Sequence, residues 1–241
     1  MEQLLVALDV DTVAEARALA DRLRGAVGGF KIGSRLFTAE GPDIVHRIGA
    51  LGERIFLDLK FHDIPNTVAT AVEAATALGV WMVNVHAAGG RRMMEAAKGA
   101  AQDTAARLGR TPPLVIAVTV LTSMTGDALR ETGVGSPLLD QVLRLADLTQ
   151  QSGLDGVVAS PLETPLIRDR FGPDFAIVTP GIRGGGAQAS GRDDQARTMS
   201  PGEAIAAGSS YLVVGRPILA APDRRRAAQE IADEMNGAVR R

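Results

Sequence analysis

The chain has 241 residues, 46% of them hydrophobic and 22% charged, with a formal net charge of −2. That length suits one large barrel domain, and roughly three quarters of the unfolded chain's surface can be buried. The balance excludes a broad nucleic-acid-binding surface, the absence of cysteine excludes disulfides and thiol chemistry, and no run of about 18 apolar residues is present to span a membrane. The N-terminus lacks the basic start and apolar core of a signal peptide, and a chain without cysteine fits a reducing cytoplasm.

Short apolar runs alternate with longer segments of helical spacing. The first predicted strand covers residues 4–8 and ends at Asp9. A helix follows over 13–24, capped by Asp11 or Thr12. The second strand, 29–32, carries Lys31. The third, over 55–59, carries Asp58 and runs into Lys60, with Asp63 in the turn beyond. A helix over 68–78 leads to the fourth strand, 80–85, whose end holds Asn84 and His86. Then come a helix over 91–108, a strand over 114–120, a helix over 137–151 and a strand over 156–159. The seventh strand, 176–179, leads into Pro180-Gly181-Ile182-Arg183 and a glycine-rich stretch, 184–191, which reads as a mobile loop. A helix over 201–207 precedes the eighth strand, 211–214, which ends in Gly215-Arg216-Pro217. The arginines at 224–226 and 240–241 read as solvated faces of a terminal helix.

Strands alternating with helices give an α/β fold with a parallel sheet. Eight such units in this length favour a closed (β/α)8 TIM barrel over an open doubly wound sheet. No linker or composition break divides the chain, so residues 1–241 are expected to form a single domain.

Barrel active sites lie at the carboxyl ends of the strands, and that is where the charges fall. Alternation along the third strand puts Asp58 and Lys60 on one face, pointing into the barrel mouth beside Lys31. Charges inside strands are costly unless paired, and two carboxylates with two ammonium groups can satisfy each other there. The bland reading is a structural ion-pair network; charged ends on several adjacent strands at one rim favour function. At the other side of the mouth, Gly215 permits close backbone approach and Arg216 offers a forked cationic donor. Barrels often bind phosphate through the loops after strands seven and eight, so a phosphorylated substrate is expected.

These segments together resemble the orotidine 5′-phosphate decarboxylases nearly end to end. The resemblance is carried by Ala7-Leu8-Asp9, Phe30-Lys31-Ile32-Gly33 and above all Asp58-Leu59-Lys60-Phe61-His62-Asp63-Ile64-Pro65-Asn66-Thr67. Val83-Asn84-Val85-His86-Ala87, Val118-Thr119-Val120-Leu121-Thr122-Ser123, Thr179-Pro180-Gly181-Ile182-Arg183 and Val214-Gly215-Arg216-Pro217 add to it. It implies decarboxylation of orotidine 5′-phosphate to UMP without a cofactor, in a homodimer with shared sites. Lys31, Asp58 and Lys60 would form a charge array completed by Asp63 of the partner subunit. Asp9 would bind the ribose hydroxyls with Lys31 and a partner's Thr67. Thr122 and Ser123 would meet the pyrimidine edge, and Arg183, Gln195, Gly215 and Arg216 the phosphate. The segment after Arg183 is longer and richer in glycine than in the family, which leaves Gln188 as a competitor for the place of Gln195.

Two rival readings have other signatures. A magnesium-dependent sugar-phosphate decarboxylase on a related barrel would use the acids as metal ligands, but here each acid stands beside a lysine. A non-catalytic nucleotide-binding barrel would bind UMP without turnover. The three histidines, His46, His62 and His86, lack zinc-binding spacing, so no metal site is expected.

Overall fold

The structure, a computed structural model, describes residues 2–182 and 199–239. Eight parallel strands close into a barrel in chain order: β1 Leu4–Ala7, β2 Gly29–Gly33, β3 Ile55–Phe61, β4 Met82–His86, β5 Leu114–Val118, β6 Gly156–Val158, β7 Ala176–Pro180 and β8 Tyr211–Val214. Pairing of β8 with β1, Leu4 beside Leu212, closes the ring and excludes the open sheet. Helices cover the outside: α1 Val13–Leu23, α2 Ser34–Glu40, α3 Asp43–Gly49, α4 Pro65–Ala77, α5 Arg91–Arg107, α6 Gly126–Glu131, α7 Leu138–Gln151, α8 Thr164–Phe171, α9 Pro201–Ala206, α10 Arg216–Leu219 and α11 Arg224–Val239. No helix among the described residues is long and apolar enough to cross a membrane.

Strands buried on both faces need apolar residues at both parities, and the core accordingly forms two layers. One set, including Leu4, Val6, Phe30, Ile32, Leu57, Val83 and Val115, packs against the helices. The other, Leu5, Phe56, Met82, Ile116, Val118, Val158 and Val178, fills the barrel interior. Each fully buried Leu, Ile or Phe contributes about 1.5–3 kcal/mol. Between β6 and β7 the backbones leave no room for a side chain at Gly156, where a methyl group would lie 2.0 Å from the Ala176 carbonyl oxygen.

Local chemistry sets the ends of the helices. Thr12, rather than Asp11, caps α1 by accepting from the Glu15 N–H at 3.2 Å. Ser200 and Glu203 form a reciprocal capping box at α9. Helices α2, α3, α6, α8 and α10 add to the helical segments expected from spacing. The fourth strand begins at Met82 rather than residue 80, and the fifth ends at Val118 rather than 120.

Candidate active site

Two residues beyond the apolar plug, the inward-facing column of the strands becomes charged. Lys31 follows Gly29 on β2, Asp58 follows Phe56 on β3, and Asn84 follows Met82 on β4, each at the next inward position. Lys31 Nζ donates to Asp9 Oδ1 at 3.0 Å and lies 3.7 Å from Asp58 Oδ2. Lys60 Nζ donates to Asp58 Oδ1 at 2.6 Å. Acid and base thus alternate from Asp9 through Lys31 and Asp58 to Lys60. Burial pushes the Asp58 carboxyl up, but Lys60 and Lys31, with hydrogen bonds from Lys60 and Asn84, outweigh it and hold the group below its ordinary value. The neighbouring cations and donors therefore favour the ionised carboxylate against the effect of burial.

Simple alternation does not place Lys60. Leu57 pairs with Val83 and Phe61 with Val85, so β3 uses four steps where β4 uses two. This bulge turns Lys60 into the left-handed region at φ 53, the single non-glycine residue with positive φ among those described. Such a conformation costs about 1–3 kcal/mol and persists where surrounding structure enforces it. Here the enforcing group is Asn84, opposite the bulge, whose Oδ1 accepts from the Lys60 N–H at 2.8 Å. Its Nδ2 donates to Asp58 Oδ1 at 2.7 Å. The two side chains that alternation had put on one face do meet, but through a bulge braced by an asparagine.

The profile of the orotidine 5′-phosphate decarboxylase / HUMPS family matches residues 2–231. The chain belongs to that family. A protein of Syntrophotalea carbinolica named orotidine 5′-phosphate decarboxylase is 54% identical over 99% of this chain and 96% of its own length. One of Moorella thermoacetica with the same name is 53% identical over 97% of this chain and 92% of its own. The solved structure of orotidine 5′-phosphate decarboxylase from Lactobacillus acidophilus is 38% identical, with TM-score 0.85 over 97% of this chain and 98% of that one.

Of the other residues that the resemblance to this decarboxylase family marks out, those described follow the carboxyl ends of the strands around the same mouth. Asp9 is exposed just past β1, and a methyl group on Gly215 would lie 3.4 Å from its Oδ2, so the end of β8 lies against the Asp9 end of the array. Arg216 opens α10, directly after Gly215, and is exposed. Thr122 is half-buried and Ser123 exposed in the loop after β5; Thr67 is exposed in the first turn of α4. Asp63 lies exposed in the turn after β3, where its Oδ1 accepts from the Ile64 N–H at 2.6 Å. Among the described residues it pairs with no cation of its own chain. Arg183, Gln195 and its competitor Gln188 lie outside the described residues, as does the stretch 184–191.

Asn84 was visible in the sequence as a polar strand end and as part of a run shared with the family, with no role attached to it. The signal that could have marked it is an amide at an inward position between two valines, since a buried amide demands partners. His86 stands two residues further along β4, with its ring 5.3 Å from that of His62. Burial, then His62 and Lys60, pull His86 below its ordinary value against the opposing pull of Asp58. Among the described residues no three His, Asp or Glu side chains gather as a metal-ligand set; the acids of the mouth meet lysines instead.

Proposed function

We propose that the chain is a carboxy-lyase that converts orotidine 5′-phosphate to UMP and carbon dioxide, the last step of de novo pyrimidine synthesis. The observation that carries this reading is the alternating Asp9, Lys31, Asp58, Lys60 row, with contacts of 3.0, 3.7 and 2.6 Å, at the mouth of a barrel of this family. Neither a metal nor an organic cofactor is needed in it. Loss of carbon dioxide breaks the bond between ring carbon and carboxylate and leaves the electron pair on that carbon, where the pyrimidine offers no sink. The Lys60 ammonium stabilises the developing charge and then delivers its proton, forming the new C–H bond. Fixed charge aimed at a developing anion is commonly the largest catalytic contribution. Asp58 faces the departing carboxylate, and its charge raises the energy of the bound substrate relative to the transition state.

The remaining roles follow the family resemblance. Asp9 and Lys31 hold the ribose hydroxyls with a partner's Thr67, while Thr122 and Ser123 meet the pyrimidine edge. Gly215 and Arg216, with Arg183 and Gln195, hold the phosphate, whose binding energy is spent on orienting the ring. Two subunits share each site, with Asp63 completing the neighbour's array. The exposure of Asp63 and the 67% exposure of Ile64 beside it support this arrangement.

The test is to mix purified protein with orotidine 5′-phosphate, with and without chelator, and follow the substrate's ultraviolet absorbance. Equal loss of absorbance in both arms is expected. Loss abolished by chelator points to the magnesium-dependent rival, and UMP binding with no absorbance change points to a non-catalytic barrel.

A further inference from the structure

We propose that Asn84 is a positioning residue for the reaction, clamping the backbone of Lys60 to the carboxylate of Asp58 so that the lysine is held at both ends. The inference rests on the functional reading above and extends it to a residue that acts through Lys60 and Asp58.

Three hydrogen bonds close a ring. The Lys60 N–H donates to Asn84 Oδ1 at 2.8 Å, Asn84 Nδ2 donates to Asp58 Oδ1 at 2.7 Å, and Lys60 Nζ donates to the same Asp58 oxygen at 2.6 Å. The amide has only one usable orientation: a backbone N–H can only donate, and an ionised carboxylate can only accept. Asn84 is fully buried, so its amide depends on these two partners. The bulge between Leu57 and Phe61 removes the ladder partner that the Lys60 N–H would have had, and Asn84 stands opposite that gap. An apolar side chain there would leave a buried donor without a partner. A lysine carries a long flexible stem. Fixing its Cα through Asn84 and its Nζ through Asp58, with Asn84 also holding Asp58, leaves little freedom in where the ammonium sits.

The charged groups around the amide are Asp58 and Lys60 on β3, Lys31 on β2 beyond Asp58, and His86 on β4 with His62 against it. From β5 the residue opposite is the apolar Ile116. Asn84→Asp keeps the shape and the acceptor for the Lys60 N–H, but sets a second carboxylate against Asp58 and removes the donor. At pH 8 its kcat should fall about 100-fold, the cost of a misplacement near 1 Å. KM should stay within about threefold of wild type, since the lost bonds act on the transition state rather than on binding. Two carboxylates sharing one site raise the pKa of one of them. As pH falls toward about 5.5, the introduced carboxyl gains a proton, donates as the amide did, and the deficit relative to wild type should shrink about tenfold. Asn84→Ala should show the loss with no such recovery. Hydrogen exchange at the Lys60 amide supplies a readout independent of turnover: slow in wild type, faster in Asn84→Ala. Values of kcat within threefold of wild type in both variants would overturn the proposal, as would equal pH profiles for the two or an unchanged exchange rate in Asn84→Ala. A wild-type protein inert toward orotidine 5′-phosphate sinks the functional reading alone, and the exchange rate then decides whether the clamp exists.

Discussion

Gly33→Ala separates the charge array from the fold that carries it. A methyl group on Gly33 would lie 2.9 Å from Lys31 Nζ and 3.8 Å from Asp9 Oδ1. Comfortable contact begins at about 3.5–4.0 Å, so the ammonium must retreat by about 0.6–1.1 Å. That retreat acts on its 3.0 Å bond to Asp9 and its 3.7 Å approach to Asp58. The obstructed atom ends a flexible side chain, and Gly33 has φ −96 and ψ 177, which alanine adopts readily. Stability should therefore hold or rise by about 0.4–1 kcal/mol through the less flexible unfolded chain. Activity should not hold: a displacement of this size costs about 10–100-fold in kcat/KM, or about 1.4–2.7 kcal/mol of transition-state stabilisation. Urea melts and the absorbance assay on one preparation measure the two sides. Gly99→Ala, inside α5 with open space around it, is the control; it should gain about 0.5–1 kcal/mol and leave turnover alone. A Gly33→Ala enzyme with kcat/KM within threefold of wild type would refute the claim that the position of Lys31 matters.

Other outcomes follow from the same geometry. Lys60→Ala and Asp63→Ala should each be inactive alone, whereas unfolding and refolding the mixture should restore about a quarter of the sites, because half the dimers are mixed and each has one intact site. No recovery would argue against shared sites. Stability should fall as pH drops. His86 is held below its ordinary 6.5 in the folded state, so its contribution is complete above 6.5 and is lost as pH falls toward the folded value. Asp58 is held below 3.8, so its contribution is present above 3.8 and disappears as pH falls through the lower folded value. His86→Phe should flatten the urea midpoint between about pH 7 and 5, and Asp58→Asn should flatten it below about pH 4; unchanged slopes would contradict these assignments. Gly156→Ala should destabilise by about 3 kcal/mol or more, because its methyl meets a backbone carbonyl that cannot swing aside.

The strands were legible because each is a short, mostly apolar run, several of them rich in Val and Ile, and that signal needs only local sequence. Helices α1, α5, α7 and α11 were legible for a related reason: three or more turns give helical spacing room to show. Helices α2, α6 and α10 have seven, six and four residues, short enough for a periodic stripe to be missed, although the equally short α9 was read at 201–207. In the mouth, Lys31, Asp58 and Lys60 could be grouped from strand ends alone. The bulge that aims Lys60 could not, because no glycine or proline marks it and the asparagine that braces it comes from the neighbouring strand. A left-handed lysine held by a residue 24 positions away is a tertiary fact. Local alternation therefore reached the right pair by a simpler route than the backbone takes.

The most direct test of the central claim is Lys60→Ala, assayed for both turnover and binding. Decarboxylation of orotidine 5′-phosphate should fall by several orders of magnitude in kcat, while calorimetry shows UMP binding close to wild type, since the phosphate and ribose contacts remain. A near-normal kcat would mean that the ammonium at the end of β3 is not the group that carries the reaction.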